Sequence, residues 1–142
     1  MQSLKIDGWL FIDKPIGISS FSIIRKIRKL INIKKIGHAG TLDPFATGIL
    51  AIAIGEATKS IDYLNGTKDY EFNITFGESK TTEDLEGETL NTTKKIPTKK
   101  EIKDILKYFI GNIEQYPPKY SSVKIDGVRA YSLARKDLNF KM

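Results

Sequence analysis

The 142-residue chain contains no cysteine, only one histidine and no long apolar run. Without cysteine it forms no disulfide and no thiolate metal site, and a single histidine argues against a zinc site built from histidines. No stretch approaches the roughly 18 apolar residues of a membrane span, and the opening MQSLKIDGWLFIDKP lacks the basic-then-apolar order of a signal peptide. These absences predict a cytoplasmic protein that has no membrane partner and whose chemistry needs no metal.

What the chain does contain is compatible with a folded core and a charged partner. Hydrophobic residues make up 40% of the sequence and charged residues 28%, a balance typical of globular rather than disordered proteins. The formal net charge of +6 favours a polyanionic partner such as nucleic acid, because lysine and arginine bind phosphates through electrostatics and counterion release. A basic surface that serves only solubility would carry the same charge. Charge alone therefore leaves both interpretations open.

Three segments have the residue patterns of β-strands. The apolar run Trp9–Ile12 predicts a buried strand that ends at Asp13. GILAIAIG at 48–55 has the continuous apolar pattern of a strand that is buried on both faces. The stretch 68–77 alternates apolar and polar residues and predicts a third strand. The polar tract 78–93 that follows it predicts an irregular excursion.

Helical patterns and a hairpin occupy much of the remaining chain. Ser19 or Ser20 can cap a helix whose apolar residues recur at helical spacing, namely Phe21, Ile24, Ile27 and Ile31. Residues 56–66 predict a short helix, and Thr98 with Glu101 predicts the capping box of another. The Asp-Gly dipeptide in KIDGVR predicts the turn of a hairpin. The order of these elements predicts the α+β class, with a mixed sheet flanked by helices.

The stretch GHAGTLDPFATG at 37–48 has the composition of a loop that presents one acid. Pro44 biases Asp43 toward an extended backbone, and the three glycines permit conformations that other residues resist. An aspartate carboxylate is ionised at neutral pH and can act as a covalent nucleophile. The alternative is a loop-capping residue whose carboxylate bonds to nearby backbone N–H groups. No serine nucleophile elbow and no phosphate-binding loop spacing is present, so Asp43 is the best candidate for a reactive residue.

Three blocks of the chain resemble one known family. GHAGTLDPFATGIL at 37–50, with Lys14 and Pro15 upstream, resembles the signature of the bacterial tRNA pseudouridine synthase B family, which converts uridine 55 in the T arm of tRNA to pseudouridine. KDYEF with TTEDLEG, and then PPKYSSVKIDGVRAYSLAR, are similar to two further blocks of that family. The blocks stand in order and cover most of the chain. The resemblance implies the pseudouridine synthase fold, tRNA as the partner and no cofactor.

The resemblance also implies roles for three individual residues. Asp43 matches the catalytic aspartate of the family, which attacks the flipped nucleotide so that uracil detaches, rotates and rejoins through carbon. Tyr70 matches the family tyrosine that stacks on the target base, and His38 matches the family histidine that fills the space left by the flipped nucleotide. Without the resemblance, Tyr70 would be interpreted as a buried strand tyrosine and His38 as a loop histidine bonded to backbone.

The remaining candidate site residues fall into two groups. Four residues are expected to support the active-site loop and not to react: Lys14, Pro15, Gly40 and Thr41. Five cations that flank the loop in sequence define a basic patch: Arg25, Arg28, Lys29, Lys34 and Lys35. Lys34 and Lys35 are expected to bind the substrate RNA. The alternative is that the basic patch is a solvated surface with no partner.

The length of the chain departs from the family pattern. The family continues beyond a point like Lys136 with a G-T-Y-I-R block, whose arginine pairs with the catalytic aspartate, and with a C-terminal RNA-binding region. Residues 1–142 are therefore predicted to be the N-terminal portion of a single catalytic domain, incomplete at the C-terminus, and a complementing C-terminal polypeptide is a candidate partner. Three hypotheses remain: an enzyme of this type or its N-terminal part, a non-catalytic RNA-binding module, and a truncated remnant without function.

Overall fold

The computed structural model describes residues 6–64, 66–136 and 138–141 of the chain. Contacts within the chain divide it into two compact units, Met1–Tyr70 and Glu71–Met142, called the first unit and the second unit. In the described residues no helix combines the length and the apolar character that crossing a membrane requires.

The first unit is built on a three-stranded sheet. Strand β1 spans Gly8–Lys14, β2 spans Ile36–His38 and β3 spans Gly48–Ile54, and their order across the sheet is β1-β3-β2. β3 runs antiparallel to both neighbours, with Lys14 opposite Gly48 where β1 ends and β3 begins. β1 and β2 therefore run in the same direction, and both end at the end of the sheet where β3 begins.

The prediction of a mixed sheet is wrong for the described residues, because each strand pair in them is antiparallel. Helix α1, Ser20–Ile31, connects β1 to β2 as a crossover, and two strands joined in this way form a parallel pair when they are neighbours. Here β3 lies between them and pairs with both. Because β3 runs opposite to both neighbours, both of its pairs are antiparallel. The combination of antiparallel sheets with helices belongs to the α+β class.

The core of the first unit lies between α1 and the sheet. The side chains buried there are Ile23, Ile24, Ile33, Leu50, Ile52 and Ile54. The buried run of β3 and the cap of α1 are as predicted, with the Ser19 hydroxyl accepting a hydrogen bond from the Ser22 amide. Phe21 does not share the buried face of Ile24, with which helical spacing grouped it: its side chain is 64% exposed, and Ile23 is buried instead. A helix turns by about 100° per residue, which places Phe21 to the side of the buried stripe.

The described residues of the second unit form two β-hairpins, two α-helices and one 3₁₀ helix. These elements are β4 (Glu78–Lys80), β5 (Thr89–Thr92), α2 (Lys99–Leu106), the 3₁₀ helix Lys107–Phe109, β6 (Lys124–Ile125), β7 (Val128–Arg129) and α3 (Ala130–Ala134). The prediction of an irregular tract at 78–93 is wrong in part, because β4 and β5 pair within it. The capping box of Thr98 and Glu101 is confirmed, as is the hairpin turn, whose Asp126 and Gly127 have φ angles of 49° and 83°.

The strand predicted at 68–77 is not formed. Its apolar side chains face solvent, with Tyr70 73% exposed and Phe72 72% exposed. A strand needs a neighbour with which to exchange backbone hydrogen bonds, and no described strand pairs with this stretch. Alternation is a local property of the sequence, whereas pairing depends on a partner strand.

The apolar side chains of Ile105 and Leu106 on α2 are also more than half exposed.

Candidate active site

Asp43 lies in the loop that connects β2 to β3. The ladder between these strands continues for one residue past β2, because the Ala39 amide donates to the Ala51 carbonyl oxygen at 2.9 Å. From there the chain leaves the sheet and returns at Gly48, opposite the end of β1. The side chains of Thr41 and Asp43 are exposed in this loop. The sheet topology therefore places Asp43 beyond the end of the sheet at which β1 and β2 finish and β3 begins.

A β-turn holds the backbone of Asp43 itself. The Ala46 amide donates to the Asp43 carbonyl oxygen at 3.0 Å, and Pro44 occupies the second position of the turn, where its fixed φ angle is favoured. Within the described residues no hydrogen bond or ion pair engages the Asp43 carboxylate. A capping aspartate would bond to backbone N–H groups through its side chain. The loop thus leaves the acid available to an external group.

Lys14 connects the turn after β1 to the loop of Asp43. Its side chain is fully buried, and its Nζ donates to the carbonyl oxygens of Pro15 at 2.9 Å, Ile18 at 2.8 Å and Pro44 at 3.4 Å. Burying an ammonium group is costly unless hydrogen bonds compensate its charge, and here carbonyl dipoles supply all three acceptors. The Pro44 carbonyl oxygen also accepts from the Gly17 amide at 2.7 Å. Two donors from the turn therefore hold the residue that follows Asp43.

His38 is fixed by a bond to its own loop. Its Nδ1 lies 2.6 Å from the carbonyl oxygen of Gly40, and Gly40 has a φ angle of +93°, in the left-handed region that favours glycine. A carbonyl oxygen can only accept, so Nδ1 carries a hydrogen in this bond. This bond agrees with the alternative interpretation of His38 as a histidine that bonds to the backbone of the loop. That the His38 ring fills the space left by the flipped nucleotide stays a prediction.

Tyr70 is placed differently from the buried strand tyrosine that its pattern alone suggested. It lies outside the regular elements and its ring is largely exposed. No hydrogen bond in the described residues links it to Asp43 or His38. The ring is therefore open to stacking, and the stacking itself stays a prediction.

The basic patch is exposed along its whole length, but its members are not equivalent. Lys35 lies 2.5 Å from one carboxylate oxygen of Glu56, and Lys59 lies 2.6 Å from the other. The hydrogen bond from Lys35, and then that from Lys59, lower the pKa of Glu56 to about 2. In the described part of the chain Lys34 takes part in no ion pair. Lys34 therefore offers a positive charge that is less compensated than that of Lys35.

Ser20 is a residue of the site that the sequence interpretation missed. It is the first residue of α1 and only 1% exposed, and its Oγ donates to the Leu42 carbonyl oxygen at 2.9 Å and accepts from the Leu42 amide at 3.0 Å. The available signal was its spacing, because Ser20 precedes Ile24 and Ile27 by four and seven residues and so lies on the buried face. A polar residue on an apolar face requires a hydrogen-bonding partner.

Comparison with known proteins gives one family model that covers most of the chain. Residues 28–142 match the TruB family pseudouridylate synthase (N terminal domain). The tRNA pseudouridine synthase B of Roseobacter denitrificans is 53% identical over 131 residues, which are 92% of this chain and 43% of the relative. The enzyme of the same name from Ehrlichia ruminantium is 49% identical over 136 residues, 95% of this chain and 46% of the relative. The chain thus spans less than half the length of these curated relatives.

A solved structure is similar to most of the chain. The crystal structure of a Cbf5-Nop10-Gar1 complex contains a chain that is 29% identical to this one, with a TM-score of 0.54. The match covers 82% of this chain and 31% of the other chain. The likeness extends beyond the first unit, since it covers more residues than that unit contains.

Proposed function

Because the chain belongs to the TruB family of pseudouridylate synthases, we propose that residues 1–142 are the N-terminal portion of a single catalytic domain that converts uridine to pseudouridine in the T arm of tRNA. Asp43 is the nucleophile of this reaction. The observation that carries the proposal is an exposed carboxylate whose backbone is held on both sides by hydrogen bonds from buried side chains. The relatives named tRNA pseudouridine synthase B support tRNA as the substrate.

The proposed reaction exchanges one glycosidic bond for another. Asp43 attacks the target nucleotide after the nucleotide has flipped out of the RNA. The bond between the ribose and N1 of uracil breaks, the uracil rotates, and a carbon–carbon bond forms between the ribose and C5. The bond between Asp43 and the nucleotide breaks, which regenerates the carboxylate, and C5 loses its proton while N1 gains one. Substrate and product are isomers, and the sequence of steps balances without an oxidant or a reductant.

Tyr70 and His38 serve the flipped state in this proposal. The exposed ring of Tyr70 stacks on the extruded base, a contact worth about 1–3 kcal/mol. Extruding a base costs a few kcal/mol, and the planar ring of His38 lowers this cost by filling the space that the base leaves. The bond from His38 to the Gly40 carbonyl oxygen supports this role, because it fixes the ring before the RNA binds.

A complementing C-terminal polypeptide is part of the proposal. A carboxylate that acts as a nucleophile gains from a fixed cation that orients it, and no described cation lies within ion-pair distance of Asp43. The curated relatives have more than half of their length outside the region that this chain matches. We assign the cationic partner of Asp43 to that additional region.

The proposal is tested with a full-length chimera, in which residues 1–142 are continued with the remaining sequence of the Roseobacter denitrificans relative. Incubated with a tRNA transcript that carries tritium at C5 of uridine, the chimera is expected to release tritium, because pseudouridine formation removes the C5 proton. Release should disappear when the T-arm uridine is replaced by cytidine. Unchanged release from that transcript would contradict the T-arm assignment, and no release by a folded chimera would contradict the activity.

The basic patch is proposed to bind RNA phosphates, which makes a prediction about salt. The affinity of the chimera for a T-arm stem-loop should fall steeply with salt, and a Lys34→Ala/Lys35→Ala variant should reduce that slope by up to about one unit for each phosphate that the variant no longer binds. Lys34→Ala alone should account for most of the change, because Glu56 already compensates Lys35. Binding measured by fluorescence anisotropy over a salt series gives the slope.

A matched control removes the same charge from a different element. Lys100 and Lys103 are exposed on α2, so Lys100→Ala/Lys103→Ala changes the net charge equally. A control variant that reduces the slope as much as the patch variant would mean that net charge, and not phosphate binding at the patch, determines affinity.

A further inference from the structure

One side chain holds both backbone groups of the residue that precedes Asp43. The Ser20 hydroxyl has one hydrogen, which it donates to the Leu42 carbonyl oxygen, and its oxygen accepts the Leu42 N–H. The two distances, 2.9 and 3.0 Å, are those of ordinary hydrogen bonds. At 1% exposure the hydroxyl is shielded from water, so water does not readily replace either bond. Leu42 is therefore connected to the start of α1.

The bonds around Asp43 form a continuous set along the loop. Ser20 binds both backbone groups of Leu42, the residue before the acid. The Ala46 amide binds the carbonyl oxygen of Asp43 itself. The carbonyl oxygen of Pro44, the next residue, accepts from Lys14 and Gly17. With three consecutive residues held in this way, the rotation of the Asp43 side chain is the main remaining freedom of the carboxylate. Orienting a reacting group before the reaction lowers the barrier, and a displacement of about 1 Å can cost a hundredfold in rate.

We propose that Ser20 is a positioning residue for Asp43, which fixes the backbone before the acid through both hydrogen bonds to Leu42. The inference rests on the proposed function, since it concerns the residue assigned as the nucleophile. Ser20 does not touch the RNA in this account and acts through Leu42. Lys14 performs the corresponding task from the other side, through Pro44. The start of α1 and the turn after β1 thus hold the two ends of the same short segment.

The first experiment measures the hydrogen bond itself and is independent of activity. In the full-length chimera, amide hydrogen exchange followed by NMR should show a slowly exchanging Leu42 amide. Ser20→Ala should accelerate that exchange about tenfold or more, since the amide loses its acceptor. The Ala39 amide, bonded to Ala51 in the sheet, should stay protected and shows that the variant is folded. An unchanged Leu42 exchange rate in a folded Ser20→Ala chain would overturn the inference.

The second experiment separates positioning from stability. In the full-length chimera, Ser20→Ala should lower kcat by about tenfold to a hundredfold and leave KM for tRNA within a few-fold. Ser20→Thr keeps the hydroxyl and should restore most of kcat. Ser22→Ala is the matched control, because in the described residues its hydroxyl accepts from the N-cap residue Ser19 and makes no bond to Leu42. It should leave both kcat and the Leu42 exchange rate unchanged.

The outcomes distinguish this inference from the proposed function. Accelerated Leu42 exchange with an unchanged kcat would overturn the positioning role and leave Asp43 as the nucleophile. A wild-type chimera without activity would overturn the proposed function, and with it the catalytic part of the inference, whereas the exchange result would still decide whether Ser20 holds Leu42. If Ser20→Ala lowered kcat and Ser20→Thr did not restore it, the positioning role of the Ser20 hydroxyl would also be contradicted.

Discussion

In the full-length chimera, Asp43→Asn is expected to reduce pseudouridine formation by at least about a thousandfold while tRNA affinity stays within a few-fold. Asparagine has nearly the shape of aspartate but cannot attack the nucleotide. Because the backbone bonds of the loop do not involve the carboxylate, the substitution should leave the loop in place. Single-turnover tritium release and a separate binding assay measure the two quantities.

A second acid of the first unit provides the control for this substitution. Asp62 is exposed in the 3₁₀ helix Gly55–Tyr63, which follows β3, so Asp62→Asn makes the same chemical change away from the loop. Its rate should equal that of the wild type. If Asp43→Asn and Asp62→Asn both retained the wild-type rate, Asp43 would have no part in the mechanism.

The chain of residues 1–142 on its own is expected to bind a hydrophobic dye strongly, to melt over a broad temperature range and to make no pseudouridine. Phe72 and the apolar residues that alternate with polar ones after it are exposed, as are Ile105 and Leu106 on α2. Exposed apolar surface of this kind binds dyes and favours association. Supplying the remaining part of the Roseobacter denitrificans relative in trans should reduce dye fluorescence, sharpen the melt and produce activity.

The opposite result is equally informative. Full activity and a sharp, cooperative melt from residues 1–142 alone would mean that the chain supplies its own cationic partner for Asp43. Lys124 and Arg129 would then be the first residues to replace. Arg129 donates from its guanidinium to the carbonyl oxygen of Ser122, which precedes the hairpin, and a guanidinium has further N–H donors for a carboxylate.

Features with local causes could be predicted from the sequence. Ser19 caps α1 and Thr98 caps α2 because a side-chain oxygen reaches the amide three residues ahead. The Asp-Gly turn forms because both residues accept positive φ angles. The loop of Asp43 is identifiable in the same way, from a proline and glycines beside a single acid. Each of these depends on residues that are close together in the sequence.

Features that depend on distant partners were decided by the tertiary structure. Alternation at 68–77 did not make a strand because no described strand pairs with it, and the insertion of β3 between β1 and β2 made the sheet antiparallel. The sequence by itself determined that one acid stands in a glycine-rich loop. Only the tertiary structure decided that Lys14 and Ser20 hold that loop, because their partners, Pro44 and Leu42, lie 30 and 22 residues away along the chain. Hydrogen bonds over such separations follow from the pairing of β1 with β3 and from the packing of α1 on the sheet, which local patterns do not specify.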